Sequence, residues 1–253
     1  MLVAAALVPD TAVLVPGAGG RADVGAGLRA AALAVVGAAL DRCRTVDDTA
    51  DGAVVVVAPG RRTRELTGAV VGSLQAAGVP DDLLGWRAPT FEALDGPSEP
   101  GAVGVPAAVA LHLLARAGWT SPLRVVEVDD DPAGPDVADL TAQGAALVAD
   151  RPTVLVVVGS GSGRHGPDAP LADDPEAPAY DSDVLAALGS GSPDALGRLG
   201  ALDPARARAL AVTGRAPWQV LVGAVGTRTV TAHLETAEVV AGALHAALRW
   251  EVA

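Results

Sequence analysis

The chain has 253 residues, and its formal net charge at pH 7 is −12. This acidity argues against a nucleic-acid partner, because affinity for phosphate backbones comes mainly from clustered lysine and arginine side chains. Half of the residues are hydrophobic but only 2% are aromatic, and the length fits one α/β domain over residues 1–253 with a core of small side chains.

The first segment, MLVAAALVP, is apolar but too short to span a membrane, and it carries no basic residues. We therefore interpret residues 2–8 as a β-strand rather than as a signal peptide. The single cysteine, Cys43, cannot form an intramolecular disulfide, which fits a reducing cytosol. Together these features predict a cytoplasmic protein without a membrane partner.

Strands and helices alternate in the first two thirds of the chain. The hydrophobic pattern predicts strands at residues 2–8, 53–58, 123–128 and 154–158, and helices at residues 24–42, 64–77, 107–117 and 137–149. Such alternation is typical of an α/β protein with a mostly parallel central sheet flanked by helices. The apolar run at 154–158 indicates a strand buried on both faces, so we expect a ligand crevice at the loop that follows it.

The last third is less regular. It predicts short helices at residues 184–188, 193–199 and 204–212, which are introduced by the cap residues Asp183, Ser192 and Asp203. A further helix is predicted at residues 217–225 and a strand at residues 227–234. Residues 237–250 fit a helix by propensity or a strand by position, and the sequence leaves both open.

The loop that begins at residue 159 holds the candidate catalytic residues Ser160, Ser162 and His165. A serine and a histidine suggest hydrolysis, but neither serine is at the centre of the GxSxG pattern that a nucleophile elbow needs. The loop also fits GxGxxG, a phosphate-binding pattern, but Pro167 stands where the required helix would begin. We therefore favour a flexible glycine loop with incidental hydroxyl groups.

Arginine residues follow two of the predicted strands. Arg61, Arg62 and Arg64 come after the strand at 53–58, and Arg164 comes after the strand at 154–158. In a parallel sheet they converge on one edge, where guanidinium groups bind the carboxylate or phosphate of a small acidic ligand. The alternative is that Arg61, Arg62 and Arg64 open a helix and face the solvent.

Motifs spread over nearly the whole chain resemble one family. They are VPDTAVLVP after the first strand, APG at the end of the second, VVVGSGS, AYDSDVLAAL, and TGRAPWQVLVGA near the end. In this order they are similar to the subunit-B-like proteins of the class III extradiol ring-cleavage dioxygenases, in particular the short actinobacterial members, and more distantly to Memo-like proteins. The resemblance implies an extradiol dioxygenase subunit-B-like α/β fold.

Active members of that family hold a non-haem Fe(II) with two histidines and a carboxylate. Asp10 and Gly60 stand at the two histidine positions of this sequence, and Gly163 stands where an SGDLSH-like loop has its acid or base histidine. The resemblance therefore implies a degenerate metal site, no ring cleavage and no bound cofactor. It leaves a former cleft that binds a small acidic ligand or a protein partner, with the candidate ligand-binding residues Asp10, Gly60, Arg61, Gly161, Gly163 and Arg164.

The competing interpretation is an active metal-dependent dioxygenase or hydrolase with substituted ligands. Asp10 and His165 are the candidate metal ligands, and Asp168, Asp181 and Asp183 add carboxylates after the glycine loop that suit a hard cation. An iron site would need two of the four histidines, which are His112, His165, His233 and His245. Because active relatives often assemble, the apolar C-terminal element is also a candidate surface for a homo-oligomer.

Overall fold

A computed structural model describes residues 1–46, 52–94, 102–131, 133–169 and 171–253. Its strands are β1 Leu2–Val8, β2 Ala53–Gly60, β3 Arg64–Leu66, β4 Ala69–Val71, β5 Thr90–Glu92, β6 Arg124–Asp129, β7 Thr153–Val158, β8 Val230–Val240 and β9 Ala243–Val252. Seven of them form one sheet in the order β3-β6-β2-β7-β1-β9-β8, while β4 and β5 form a separate pair.

The centre of the large sheet is parallel. Strands β6, β2, β7 and β1 run in one direction, β3 and β9 run against them, and β8 runs against β9. The central strands are buried on both faces, as their valine-rich runs predict. The predicted single-domain α/β fold with a mostly parallel central sheet is therefore confirmed.

Seven helices in the described ranges flank this sheet. They are α1 Ala26–Val46, α2 Val105–Arg116, α3 Val137–Leu147, α4 Ala177–Ser190, α5 Pro193–Gly200, α6 Pro204–Ala209 and α7 Arg215–Val225. Helices α1 and α2 contribute to the apolar core on one face, and α3, α4, α5 and α7 contribute to a second core on the other. Within those same ranges, no helix is both long and apolar enough to cross a bilayer.

The predicted helix at residues 64–77 is wrong. This segment forms β3, then β4, then one short 3₁₀ turn at Gln75–Ala77. Gly68 and Gly72 interrupt a helical pattern, and Val70 and Val71 favour strands. Leu66 is fully buried where β3 pairs with β6, so long-range pairing decides the structure here.

The short helix predicted at residues 184–188 belongs to the longer α4, so Asp183 lies inside a helix and does not cap it. A proline in the first turn is compatible with a helix start, which explains why α4 begins within a proline-rich segment. The other two predicted caps are confirmed. The side chains of Ser192 and Asp203 accept hydrogen bonds from the backbone N–H groups of Ala195 and Arg206.

Residues 237–250, which fit either a helix or a strand, belong to a β-hairpin. Residues 237–240 complete β8, and β9 begins at Ala243. Between them Ala241 and Gly242 have φ angles of 49° and 72°, the left-handed values that a tight hairpin turn requires. Strand β9 pairs with β1, which places the C-terminal segment inside the sheet rather than on a helical surface.

Candidate functional site

Strand pairing brings three distant parts of the chain to one edge of the sheet. In the parallel pair β1 and β7, Val8 lies opposite Val158, so Asp10 and Ser160 follow at the same level. Strand β9 runs antiparallel to β1, and its first residues therefore start at this same edge. The carboxyl ends of parallel strands are where open α/β sheets hold their ligands.

A chain of hydrogen bonds joins Asp10, Ser160 and His245 at this edge. The Ser160 Oγ atom lies 2.5 Å from Asp10 Oδ1 and 2.8 Å from His245 Nδ1. The Ser160 hydroxyl donates to Asp10 Oδ1, so in this arrangement the imidazole Nδ1–H donates to Oγ. Burial lowers the pKa of His245, and the Asp10 charge opposes this effect. The ring is therefore neutral at pH 7 in this arrangement.

This geometry differs from that of a serine hydrolase. In a catalytic triad the histidine lies between the serine and the carboxylate and removes the serine proton. Here Ser160 lies in the middle, its proton is directed to Asp10, and its residue surface is 4% exposed. The chain of hydrogen bonds satisfies three polar groups within the protein and does not activate Ser160 as a nucleophile.

The TGRAPW motif holds the backbone of Ser160 in place. The Ser160 N–H donates to Thr213 Oγ1 over 2.9 Å, and its carbonyl accepts from the Gly214 N–H over 3.0 Å. A side chain at Gly159 would put its Cβ 2.3 Å from the Gly214 Cα atom, so only glycine fits before Ser160. The TGRAPW motif therefore supports the glycine loop.

Arg215 of the same motif connects this support to the rest of the fold. Its Nη1 atom lies 2.9 Å from Asp130 Oδ1, and its Nε donates to the Leu202 carbonyl over 3.3 Å. Arg215 is 2% exposed. Burial raises the pKa of Asp130, and the hydrogen bond from Arg215 opposes this effect. The pair is a buried anchor for the start of α7.

The glycine N–H groups predicted to bind a ligand are committed to protein carbonyls. The Gly161 N–H donates to the Leu244 carbonyl over 2.9 Å, and the Gly163 N–H donates to the Leu210 carbonyl over 3.0 Å. The Ser162 hydroxyl also donates to the Leu210 carbonyl, over 3.0 Å, and is fully buried. The loop is thus tied to β9 and to the end of α6, and these groups do not point to a ligand.

His165 pairs with a carboxylate of α4 and not with the Asp10 chain. Its Nε2 atom lies 2.6 Å from Asp181 Oδ2, and Asp181 Oδ1 accepts from the Ser162 N–H over 2.9 Å. Burial raises the pKa of Asp181, and the hydrogen bond from His165 opposes this effect. Arg164 donates through Nη1 to the Ala172 carbonyl over 3.0 Å. Both side chains therefore fasten the loop to its neighbours.

The space beside Gly60 is filled. A Cβ atom at this position would lie 2.8 Å from the Glu127 Cβ atom. Glu127 is 3% exposed, accepts from Arg64 Nε over 2.7 Å, and accepts from the Gly104 N–H over 2.5 Å. A histidine at residue 60 would require Glu127 and its partners to move.

The four arginines predicted to share one rim have different roles. Arg64 is in the ion pair with Glu127, and Arg164 fastens the glycine loop. Arg61 and Arg62 are exposed just beyond β2. Arg61 and Arg62 are therefore the two exposed arginine residues among these four.

Sequence reasoning missed His245 and Glu127 as members of the site. His245 lies in an element that the sequence leaves open as either a helix or a strand. Its role follows from the antiparallel register of β9 against β1, which no local pattern reveals. Glu127 lies in the predicted strand at residues 123–128, and that prediction does not mark it as a site residue. In the described part of the chain, no group of three or more histidine, cysteine, aspartate or glutamate side chains is placed to hold a metal ion.

Comparison with known proteins identifies the fold and leaves the family open. Neither a protein-family model nor a curated protein matches the chain. Among solved structures, the uncharacterized protein JW3007 from Escherichia coli K12 is similar, with a TM-score of 0.53 and 15% sequence identity. The match covers 98% of this chain and 99% of that chain. At this identity, the similarity shows a shared α/β architecture and nothing further.

Proposed function

We propose that this chain is a catalytically degenerate relative of the class III extradiol dioxygenase subunit-B-like proteins and does not cleave aromatic rings. The proposal rests on the motif resemblance and on one structural observation. The two positions that correspond to the iron-binding histidines are Asp10, which is held by Ser160, and Gly60, which is closed off by Glu127.

The residues at the site do not fit ferrous ion. A ring-cleavage site of this type needs two imidazoles and a carboxylate with open positions for substrate and dioxygen. Asp10 and His245 could supply one oxygen and one nitrogen, but both are bonded to Ser160 Oγ. Gly60 has no donor side chain, and Glu127 is engaged by Arg64 and by the Gly104 N–H.

Instead of catalysing a reaction, the edge of the sheet at the carboxyl ends of the parallel strands binds a ligand. Arg61 and Arg62 are exposed just beyond the carboxyl end of β2, where a guanidinium group pairs with the carboxylate or phosphate of a small acidic ligand. An acidic segment of a protein partner pairs with guanidinium groups in the same way.

The test is oxygen uptake with catechols. Purified protein is loaded anaerobically with Fe(II) and then mixed with catechol or protocatechuate in air-saturated buffer. We expect uptake equal to a protein-free iron control. Catechol turnover by the wild-type chain that disappears in Asp10→Ala would overturn the proposal.

One observation favours the competing function, an active metal-dependent dioxygenase or hydrolase with substituted ligands. Asp10 and His245 lie on either side of the same hydroxyl group, so releasing Ser160 would leave two donors close together. That function predicts ester hydrolysis or ring cleavage with added Zn²⁺ or Mn²⁺ that is lost in both Asp10→Ala and His245→Ala. Metal-dependent turnover with this pattern would replace our proposal.

A further inference from the structure

A cavity of about 600 Å³ lies between α4, α5 and α6, away from the Asp10 chain. This volume is within the range of small-molecule binding sites. Its wall residues Val184 and Leu199 belong to the apolar core on the face of the sheet opposite to Val8. We call this cavity the α4–α6 cleft.

The floor of the α4–α6 cleft is apolar. Val184, Ala187 and Leu199 are buried in the wall, and Leu202 is half-buried beside them. Ala186 and Ala201 are exposed at the mouth. Small and aliphatic side chains of this kind accept a hydrocarbon or aromatic body by burying its surface from water.

Cations lie at the mouth of the cleft, and its wall contains a buried hydroxyl without a partner. Arg198 is exposed, and the Arg206 guanidinium lies 5.6 Å from the centre of the Tyr180 ring. Tyr180 is 7% exposed, and within the described ranges its hydroxyl has no hydrogen-bond partner. Buried polar atoms in native proteins are generally paired, so the Tyr180 hydroxyl marks a position where a ligand atom or a water molecule belongs.

Two carboxylates, the exposed Asp183 and Asp203, also line the cleft. Asp203 caps α6 by accepting from the Arg206 N–H over 2.6 Å, so its charge is stabilised locally. Arg206 also pairs with Glu176 at 3.3 Å, but both side chains are more than half exposed, and such pairs contribute little. A ligand carboxylate in the cleft can therefore replace Glu176 as the partner of Arg206 with little loss of stability.

We propose that the α4–α6 cleft binds a small amphiphilic carboxylate, such as a medium-chain fatty acid or an aryl carboxylate. The apolar body lies against Val184, Leu199 and Leu202. The carboxylate pairs with Arg198 and Arg206 at the mouth, and the Tyr180 hydroxyl donates to it. This site is independent of the proposed function at Asp10, because it shares no residue with the Asp10 chain and requires no metal.

Isothermal titration calorimetry with three eight-carbon probes tests the proposal. Octanoate carries the carboxylate, octanol has no charge, and octylammonium has the opposite charge. We expect saturable binding of one octanoate per chain, and octanol and octylammonium at least about tenfold weaker, because charge-assisted hydrogen bonds to arginine are among the stronger polar contacts. No saturable binding of octanoate, or equal binding of all three probes, would overturn the proposal.

Matched variants locate the binding. Ala186→Trp puts a large ring into the mouth of the cleft, whereas Ala205→Trp adds the same ring at an exposed position of α6 outside it. We expect octanoate affinity to fall at least about tenfold in Ala186→Trp and to be unchanged in Ala205→Trp. The double variant Arg198→Gln/Arg206→Gln should lose about tenfold for octanoate and nothing for octanol. Octanoate binding that neither Ala186→Trp nor the arginine double variant weakens would refute this site.

Discussion

The Asp10 site and the α4–α6 cleft differ in whether their polar groups are bonded to one another. At the first, the side chains of Asp10, Ser160 and His245 bond to one another. At the second, the Tyr180 hydroxyl has no partner within the described chain, and the Arg206 guanidinium is more than half exposed. A site whose groups satisfy one another is stabilised and closed, whereas a site with unpaired groups is ready for a ligand.

Arg215 is the residue whose loss should most strongly disturb both regions. It pairs with Asp130 in the interior and donates to the carbonyl of Leu202, which lines the cleft. Arg215→Ala leaves the half-buried Asp130 carboxylate without its partner, and we expect the free energy of unfolding to fall by about 3 kcal/mol. Urea denaturation followed by circular dichroism measures this loss.

Arg208→Ala is the matched control for this prediction. Arg208 pairs with Asp131 at 3.2 Å, but its side chain is 62% exposed and that of Asp131 is 49% exposed. Exposed pairs contribute about 0–1 kcal/mol. Equal losses for Arg215→Ala and Arg208→Ala would show that the buried pair does not anchor α7.

The two regions differ also in how far the sequence predicts them. The valine-rich runs predict the central strands, because a strand buried on both faces needs apolar residues at every position. They also predict that residues which follow these strands, such as Arg61 and Arg164, lie at one edge of the sheet. The wrong helix at 64–77 has a different cause, since the pairing of Leu66 with β6 depends on residues almost sixty positions away.

The second difference concerns individual contacts. The sequence marks Ser160 and His165 as candidates, but it does not reveal that Ser160 bonds to His245 and that His165 bonds to Asp181. Both contacts depend on strand register and on the packing of α4, which are long-range properties. The α4–α6 cleft is likewise absent from local patterns, because three separate helices form it.

Ser160→Ala compared with Ala186→Trp sharpens the contrast between the two regions. Removing the Ser160 hydroxyl leaves Asp10 and His245 without their shared partner, and we expect the free energy of unfolding to fall by about 1–3 kcal/mol. Ala186→Trp adds a ring at the exposed mouth of the cleft and should change the free energy of unfolding by less than about 0.5 kcal/mol. A larger loss in Ala186→Trp than in Ser160→Ala, measured by urea denaturation, would reverse the comparison.

The smallest expected effect is the pH dependence caused by His245. Burial lowers its pKa below the ordinary value of 6.5, so the folded chain keeps the ring neutral while the unfolded chain takes up a proton. The contribution of His245 to the free energy of unfolding is therefore fully present above pH 6.5. It is lost as the pH falls from 6.5 through the pKa of the folded state.

His245→Gln isolates this contribution, because His112, whose pKa is also lowered by burial, remains in both proteins. We expect a shallower loss of stability between pH 6.5 and 5 in the variant than in the wild-type chain. Identical pH profiles, or an imidazole titration of His245 above 6.5 in a nuclear magnetic resonance experiment, would contradict the assignment of a buried neutral ring.

The central proposal is that the positions which correspond to iron-binding histidines in the family it resembles are closed by the protein's own side chains, and metal analysis tests it most directly. The chain is produced in iron-supplemented medium, purified without chelators and analysed for Fe, Mn and Zn by mass spectrometry, with Asp10→Ala in parallel. We expect far less than one transition metal per chain in both proteins. One equivalent of Fe, Mn or Zn in the wild-type chain that is lost in Asp10→Ala would contradict it.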